Sequence, residues 1–359
     1  MSQTAPPPFA LRHSPQVPEL LYQLGCTLAI STYQAGKVVL ISAQDENKLI
    51  QLPRTFVKPM GIAEDRETDR LAIACREEVI MLANSTQLAA HYPKAPGKYD
   101  ALYVPRLTYH TGALDIHDLN FGQGGVLYAV NTRFSCLVQL DNRYNFTPYW
   151  QPKFISQLAS DDRCHLNGMA MQDGLPKYAT AFSQTDTPQG WRSTVTTSGV
   201  IFDVTTDEVV IDRLPMPHSP RIFNGDLYVL LSASGEVAKI NLKDRSYDVV
   251  CKISGFVRGM SLIGDYLFVG LSKLRENSST FSKLDFAKNA NEAGIAIVHL
   301  PTGAKVGVIN YLSSVDEIYD VHILAGKRRP NIMNTLTDDH KAALMIPTAT
   351  YWAKKRTHS

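Results

Sequence analysis

No apolar run in this sequence approaches the roughly 18 residues that a membrane-spanning helix needs. The first eleven residues lack the apolar core of a signal peptide and contain Pro6, Pro7 and Pro8. Neither sign of charge is in excess, because 36 basic residues nearly balance 34 acidic ones, for a net charge of +2. We therefore expect a cytoplasmic protein that binds neither membranes nor nucleic acid.

Cysteine pairs at metal-binding or redox spacing are absent as well. The five cysteines, Cys26, Cys75, Cys136, Cys164 and Cys251, are odd in number and include no CxxC pair. Three of them lie inside apolar, strand-like patterns, where cysteine usually behaves as a small buried hydrophobe. We predict reduced thiols in the core, in keeping with a cytoplasmic location.

Short catalytic motifs are missing too. The chain has no GxSxG, no HExxH, no P-loop and no GxGxxG ahead of a helix. Nucleotide-dependent chemistry and the familiar hydrolase mechanisms therefore have no support from local sequence. WD and kelch signatures are also absent, so scaffold families of those kinds are not indicated.

The sequence does contain a repeat of strand-like segments. Six runs rich in β-branched and aromatic residues lie at 27–32, 70–75, 126–132, 178–184, 226–232 and 266–272. A second run follows each of them, at 37–43, 78–84, 136–142, 199–206, 236–243 and 294–301. A more polar third run follows at positions such as 48–52, 87–91, 208–214, 247–253 and 304–310, and a short apolar run precedes five units, at 59–63, 116–121, 167–172, 220–223 and 257–263. Four strands at a period of roughly 40–55 residues match the blade of a β-propeller.

The first unit lacks its leading strand, and residues 18–25 before it have the pattern of a helical turn. The missing strand is found at the other end of the chain, at 318–324. Pairing it with the N-terminal blade would join the two ends and leave no open edge. The sequence thus predicts an all-β fold, a six-bladed β-propeller over 26–324, with an N-terminal extension at 1–25 and a helical or frayed C-terminal tail at 325–359.

In a propeller, the place of a loop in the strand order predicts the face on which it lies. Because the innermost strand starts at the top face and the chain then alternates, connections between blades and between second and third strands lie on top. The four long segments, 92–114, 148–164, 184–198 and 273–293, all have such positions. Long loops in compact domains are usually functional. We therefore predict a lid or wall over a top-face pocket, with tolerated decoration of an exposed rim as the alternative.

Four of the ten histidines occupy one structural position, the start of an inner strand: His117, His165, His218 and His322. Neutral imidazole and carboxylate together form a usual ligand set for divalent metal ions. These side chains could converge on one ion or act as acid–base catalysts. The alternative is that they hydrogen-bond neighbouring strands and channel waters, as buried polar groups must.

Two arginines, Arg221 and Arg258, share these inner strands. They would repel a metal ion unless Asp115, Asp118, Asp320 or an anionic ligand intervened. Because arginine captures carboxylate or phosphate with two parallel hydrogen bonds, this mixture indicates an anionic or zwitterionic substrate. Salt bridges between blades explain the arginines equally well.

Further candidates for substrate binding lie in the top-face loops, where aromatic residues stand near arginine: Tyr33, Arg76, Arg133, Trp191 and Arg192. Such neighbours suit the rim of a binding site, although exposed loops often contain them without consequence.

The stretches Ile116-His117-Asp118-Leu119-Asn120-Phe121 and His165-Leu166-Asn167-Gly168-Met169-Ala170 resemble blade patterns of strictosidine-synthase-like and gluconolactonase-like six-bladed propellers. In the gluconolactonase-like group, Asn and Asp at such positions bind a divalent ion, although that group's acidic ligand from the first blade has no match in 58–64. By position, the resemblance implies Asn167 and Asp118 as the matching residues here. Together with the residues named above, the candidate metal ligands are His117, His165, His218, His322, Asp118, Asn167 and Asp320.

Nearly the whole chain, from Phe9-Ala10-Leu11 through Ser31-Thr32-Tyr33-Gln34-Ala35-Gly36-Lys37 to Lys327-Arg328-Arg329-Pro330, resembles a family of uncharacterised bacterial proteins known as a domain of unknown function. This resemblance implies a bacterial, cytoplasmic origin and no particular reaction.

Two classes of function remain open. The first is an enzyme acting on a small polar molecule or a peptide side chain in the top pocket, with or without a divalent metal ion. Its catalytic candidates are His117, His165, His218, His322, Arg221 and Arg258. The second is a non-catalytic module whose loops 184–198 and 273–293 bind a peptide or protein. The sequence does not indicate the oligomeric state.

Overall fold

The structure is a computed structural model, and it describes residues 5–273 and 290–353. The first elements in chain order are β1 (Leu11–His13), α1 (Val17–Leu24), β2 (Cys26–Thr32), β3 (Lys37–Asp45), β4 (Lys48–Thr55), β5 (Ile62–Asp65), β6 (Arg70–Ala74), β7 (Val79–Asn84), α2 (Thr86–Ala90), β8 (Ala101–Tyr109), β9 (Ile116–Phe121), β10 (Leu127–Asn131), β11 (Cys136–Leu140), β12 (Thr147–Trp150), β13 (Leu166–Gln172) and β14 (Leu175–Ala181).

The remaining strands are β15 (Gly199–Asp203), β16 (Glu208–Leu214), β17 (Pro217–Phe223), β18 (Asp226–Leu231), β19 (Glu236–Asn241), β20 (Ser246–Lys252), β21 (Phe256–Ile263), β22 (Tyr266–Ser272), β23 (Gly294–His299), β24 (Ala304–Tyr311), β25 (Asp320–Ala325), β26 (Pro330–Ile332), β27 (Ala343–Ile346) and β28 (Ala349–Trp352). Short 3-10 turns occupy Gln123–Gly125, Gly190–Ser193 and Asp338–Ala342.

These strands form six antiparallel blades around a central channel. Blade 1 has the order β25-β2-β3-β4, and blades 2 to 6 begin with β5, β9, β13, β17 and β21. The six inner strands contact one another in a ring. This arrangement confirms the six-bladed β-propeller that the repeat predicts.

The ring closes through the C-terminal strand. β25 pairs with β2 in antiparallel register from Cys26↔Ala325 to Ser31↔Asp320, which confirms the predicted closure with boundaries about two residues later. Blade 6 approaches this strand closely at Gly259, which has a φ of +75°, and a Cβ there would lie 2.7 Å from Asp320 Cα. The joint between the last blade and the closing strand therefore requires glycine.

Successive blades meet through apolar side chains, and a buried cluster fills each of the six interfaces. The inner and middle strands are covered on both faces by neighbouring blades, so β2 is buried along its whole length. The outer strand β4 is only partly buried. This gradient explains why the third run of each repeat is the more polar one.

Blade 2 departs from the prediction. Residues 87–91, predicted as its third run, are instead covered by α2, whose N-cap Ser85 accepts a hydrogen bond from Leu88 N at 3.1 Å. The predicted third run corresponds instead to β8, which pairs with β7. Because β8 lies within 92–114, that segment is not a long top-face loop. Gln, Leu and Ala at 87–90 favour a helix, and tertiary pairing places the strand later.

Both terminal segments attach to outer blade edges. β1 pairs with β24 of blade 6, and β26 pairs in parallel with β8 of blade 2. The predicted helical turn before β2 is confirmed as α1. The tail, for which the sequence left a helix or a frayed end open, contains over 325–353 the strand β26, the 3-10 turn Asp338–Ala342 and the β27–β28 hairpin. These additions cover two outer edges. No helix of the described part is long and apolar enough to cross a bilayer.

Candidate functional site

A cavity of about 420 Å³ opens at the mouth of the central channel. Eight residues that the sequence selected line it: Tyr33, His117, Arg133, His165, Trp191, Arg192, His218 and Arg258. Asp115, which the sequence offered as a partner for the arginines, lines it too, and the structure adds residues that the sequence did not select: Asp161, Asp162, Phe182, Phe256, Glu317 and Tyr319. The cavity thus combines histidines, both signs of charge and aromatic walls, as ligand sites often do.

Two of the long segments build one wall. These segments are 148–164 and 184–198. Arg163 of the first donates to Asp161 Oδ1 at 3.0 Å and, across to the second, to Asp186 Oδ1 at 2.8 Å. The amide of Gln189 donates to the main-chain oxygens of Asp161 and Asp162. The loop 184–198 is thereby fixed over the channel mouth. Of 273–293, residues 274–289 lie outside the described part of the chain.

His165 is held by a carboxylate. Its Nδ1 donates to Asp162 Oδ2 at 3.0 Å, and Trp191 Nε1 donates to the same oxygen at 3.0 Å. The ring lies 4.5 Å from the Phe182 ring and 4.3 Å from the Trp191 ring. In the described part of the chain no group lies within hydrogen-bonding distance of His165 Nε2. Because the carboxylate fixes the proton on Nδ1, Nε2 is left as a proton acceptor at the cavity wall.

His117 and Asp115 lie beside this pair. His117 Nδ1 donates to the main-chain oxygen of Asp115 at 3.0 Å, and its ring centre is 4.9 Å from that of His165. Burial lowers the pKa of His117 to about 4, although Asp115 opposes that shift. Burial alone would raise the pKa of Asp115, but it is lowered overall by His117 and His165, which are charged only when protonated, and by Arg258 and Arg133. At neutral pH, Asp115 is ionised and His117 is neutral.

His218 makes a structural hydrogen bond. Ser232 Oγ donates its single hydrogen to Val257 O at 2.6 Å, so it accepts from His218 Nδ1 at 2.6 Å. Burial, with a smaller contribution from the charge of Arg258, holds the pKa of His218 well below its usual value. The ring is a neutral part of the cavity floor that links blade 5 to blade 6.

Asp118 and Arg221 lie deeper in the channel, and neither lines the cavity. Arg221 donates to both Asp118 oxygens, at 2.7 and 3.1 Å, and to Met169 O at 3.0 Å. Asp118 also accepts from the amides of Leu119 and Met169, each at 3.0 Å. This network joins blades 3, 4 and 5, which is the inter-blade salt bridge that the sequence left open.

Asp320 connects the closing strand to blade 2. It accepts from the amides of Ile62 and Val321, each at 2.9 Å. Burial raises its pKa to about 6; the Arg221 charge opposes that shift and the Asp118 charge adds to it. Asp320 therefore ionises near neutral pH and serves the joint of the ring.

The other predicted site residues also lie away from the cavity. His322 Nε2 is 3.5 Å from Glu64 Oε2. Asn167 Oδ1 accepts from Thr180 Oγ1 at 2.7 Å. The Arg76 side chain is 59% exposed on the rim, 3.7 Å from Glu77.

The predicted metal ligands do not come together. Among residues 5–273 and 290–353, no three His, Cys, Asp or Glu side chains stand close enough to hold one ion. Asp118 and Asp320 accept hydrogen bonds within the channel, and His218 and His322 face Ser232 and Glu64. These groups do not fit a shared metal ion.

The fold and site together define a six-bladed β-propeller with a polar cavity at the mouth of its channel. The chain belongs to the family described as "Domain of unknown function (DUF4915)", whose model matches residues 15–333. This match confirms the nearly full-length resemblance found in the sequence. No curated protein matches the chain in sequence.

Solved propellers share the fold at low identity. A chain of the crystal structure of a nidogen/laminin complex superposes with a TM-score of 0.55 at 10% identity, over 84% of this chain and 99% of that one. A protein of unknown function from Bacteroides caccae gives a TM-score of 0.51 at 9% identity, over 83% and 98%. The streptogramin B lyase structure gives a TM-score of 0.41 at 11% identity, over 78% of this chain and 74% of that one.

Proposed function

We propose that the channel-mouth cavity binds a small polar molecule and that His165, oriented by Asp162, transfers a proton during its conversion. The observation that supports this most is the hydrogen bond from His165 Nδ1 to Asp162 at the cavity wall. A positioned histidine with one nitrogen committed to a carboxylate is the usual form of a general base.

The local backbone places the two partners. Asp162 and His165 both have positive φ angles, +50° and +53°. Thirteen non-glycine residues of the described part other than Asp115, Asp162 and His165 share a positive φ, so the left-handed turn brings the Asp162 carboxylate back to the His165 ring but does not by itself mark a site.

A small molecule fits this cavity better than a docked protein. The loop 184–198, a candidate arm for binding a partner, is fastened to the wall by Arg163 and by the bond from Trp191 to Asp162. Trp191 is itself 97% buried, since only 3% of its surface is exposed. Fixed aromatic walls of this kind exclude water around a bound molecule.

A cytoplasmic location belongs to the same proposal. All five cysteines are free and buried, as expected for a protein kept under reducing conditions.

The tautomer of His165 tests the proposed base. In ¹⁵N-histidine-labelled protein at pH 7.5, we expect His165 to carry its proton on Nδ1, and Asp162→Asn to weaken that preference. His299, whose Nδ1 bonds Thr302 Oγ1 at 2.8 Å on the exposed surface, is the internal control. A proton fixed on Nε2 of His165 in the wild type, or a spectrum of His165 unchanged by Asp162→Asn, would remove the base from the proposal.

A further inference from the structure

Arg258 is an unusually placed cation. Only 13% of its side chain is exposed, and its guanidinium carbon lies 3.4 Å from the centre of the Tyr319 ring. The nearest carboxylate oxygen, Oε1 of Glu317, is 4.0 Å away. Within the described part of the chain, no acceptor lies at hydrogen-bonding distance from this guanidinium.

The guanidinium donors of Arg258 are open to a ligand. A guanidinium has five N–H donors, and none of those of Arg258 is among the side-chain atoms of the described residues that are both fully buried and without a partner, so water in the cavity hydrates them until the acceptors of a ligand replace it. Stacking on Tyr319 stabilises the cation and fixes its plane, but it satisfies none of the donors. Because Arg258 also lines the cavity, those donors are available to a bound molecule.

We infer that the molecule bound in the cavity carries a carboxylate and that Arg258 binds it. The inference rests on the proposed function, since the same molecule would meet His165. A planar carboxylate matches the fork of a guanidinium. The acidic and basic residues that line the cavity are equal in number: Asp115, Asp161, Asp162 and Glu317 against Arg133, Arg192, Arg258 and Lys273. With no net positive charge in the lining, a carboxylate monoanion is better matched than a phosphate dianion.

The rest of the cavity indicates what the carboxylate is attached to. Tyr33, Phe256 and the Trp191–Phe182 pair present aromatic surface to the same space. Phenylacetate, which joins one carboxylate to one ring, is therefore a suitable probe. Phenylacetamide keeps its shape without the charge, and phenylphosphonate replaces the carboxylate by a phosphonate.

Calorimetric titration of the full chain with these three probes tests the assignment. We expect phenylacetate to bind wild type best, and Arg258→Met to bind it roughly 10- to 100-fold more weakly, the loss expected for hydrogen bonds to a charged group. Arg258→Lys keeps the charge without the fork and should give an intermediate affinity. Arg213→Met, at a side chain that is 88% exposed, is the matched control.

Thermal unfolding separates a binding role from a structural one. If Arg258 serves a ligand, Arg258→Met should leave the melting temperature of the unliganded protein about unchanged, because the guanidinium makes no hydrogen bond within the described part of the chain. Equal phenylacetate affinity in wild type and Arg258→Met, or tighter binding of phenylphosphonate or phenylacetamide, would overturn the inference. The titration involves no proton transfer and the tautomer of His165 is read without ligand. A wrong His165 tautomer would therefore refute the proposed base while leaving this result intact.

Discussion

Removing Arg221 should cost the propeller a large part of its stability. The guanidinium binds both oxygens of Asp118, whose side chain is only 5% exposed, and its charge also acts on Asp320. Arg221→Met leaves the Asp118 carboxylate buried without its counter-ion. Breaking a buried ion pair by removing one partner typically costs about 3–5 kcal/mol.

The structure places this loss at the lower end of that range, about 3 kcal/mol, because two backbone amides continue to donate to Asp118. Urea unfolding of wild type and Arg221→Met measures it as a shift in midpoint at constant slope. Lys239→Met is the control, since its ion pair with Asp226 is 36% and 44% exposed and should contribute less than about 1 kcal/mol.

The loss should also depend on pH. The pKa of Asp320 is raised to about 6 by burial, so Asp320 is ionised at pH 8 and protonated at pH 5. Arg221 stabilises the ionised form only, and its removal should therefore cost more at pH 8 than at pH 5. A loss of unfolding free energy no larger than that of Lys239→Met, or a greater loss at pH 5 than at pH 8, would refute the assignment of Arg221 to a stabilising salt bridge between blades.

Three further predictions follow from the fold. Gly259→Ala should lose more than about 2 kcal/mol in urea unfolding, because its Cβ would meet Asp320. Gly225→Ala also has a positive φ, but its Cβ would enter open space, so it should lose less, and equal losses would contradict the close approach. Burial lowers the pKa of His117 to about 4, so the unfolded chain binds a proton there more readily than the folded protein. As the pH falls from 6.5 to 4, the free energy of unfolding should therefore decrease by up to about 1.4 kcal/mol per pH unit. A melting temperature that falls as steeply with pH in His117→Gln as in wild type would contradict this role of His117. The five cysteines are free and buried, and burial raises the pKa of Cys26 to about 12. These thiols should therefore stay unreactive towards a disulfide reagent until urea unfolds the protein. Rapid labelling of the native protein would contradict their burial.

The blades could be predicted because strand patterns are local and repeat six times. The closing strand could be predicted because one unit lacked a strand that the other end supplied. Blade 2 could not, because 87–91 has good helix formers after the N-cap Ser85, and the true outer strand contains Pro105. Local preference and tertiary pairing conflict there.

The sequence could predict that the site lies at the channel mouth. It could not predict which side chains face the cavity and which lie deeper in the channel. Inner-strand starts lie at the channel mouth, yet His117 lines the cavity while the adjacent Asp118 points into the channel, since successive residues of a strand face opposite sides. Bulges between His218 and Arg221, and between Val257 and Met260, change this alternation, and the sequence gives no sign of them.

Asp162 shows the remaining difficulty. It lies three residues before His165 in a loop, and no regular spacing predicts that a left-handed turn brings its carboxylate back to the ring. The one available signal was an aspartate shortly before an inner-strand histidine, which Asp115 and His117 share.

Equilibrium dialysis of the full chain against a small-molecule cell extract, read by mass spectrometry, tests most directly whether the cavity is the binding site. Wild type and the control His299→Gln, a half-buried position outside the cavity lining, should retain the same carboxylate-bearing molecule, and Arg258→Met should not. Retention of nothing by wild type, or equal retention by Arg258→Met, would contradict the account.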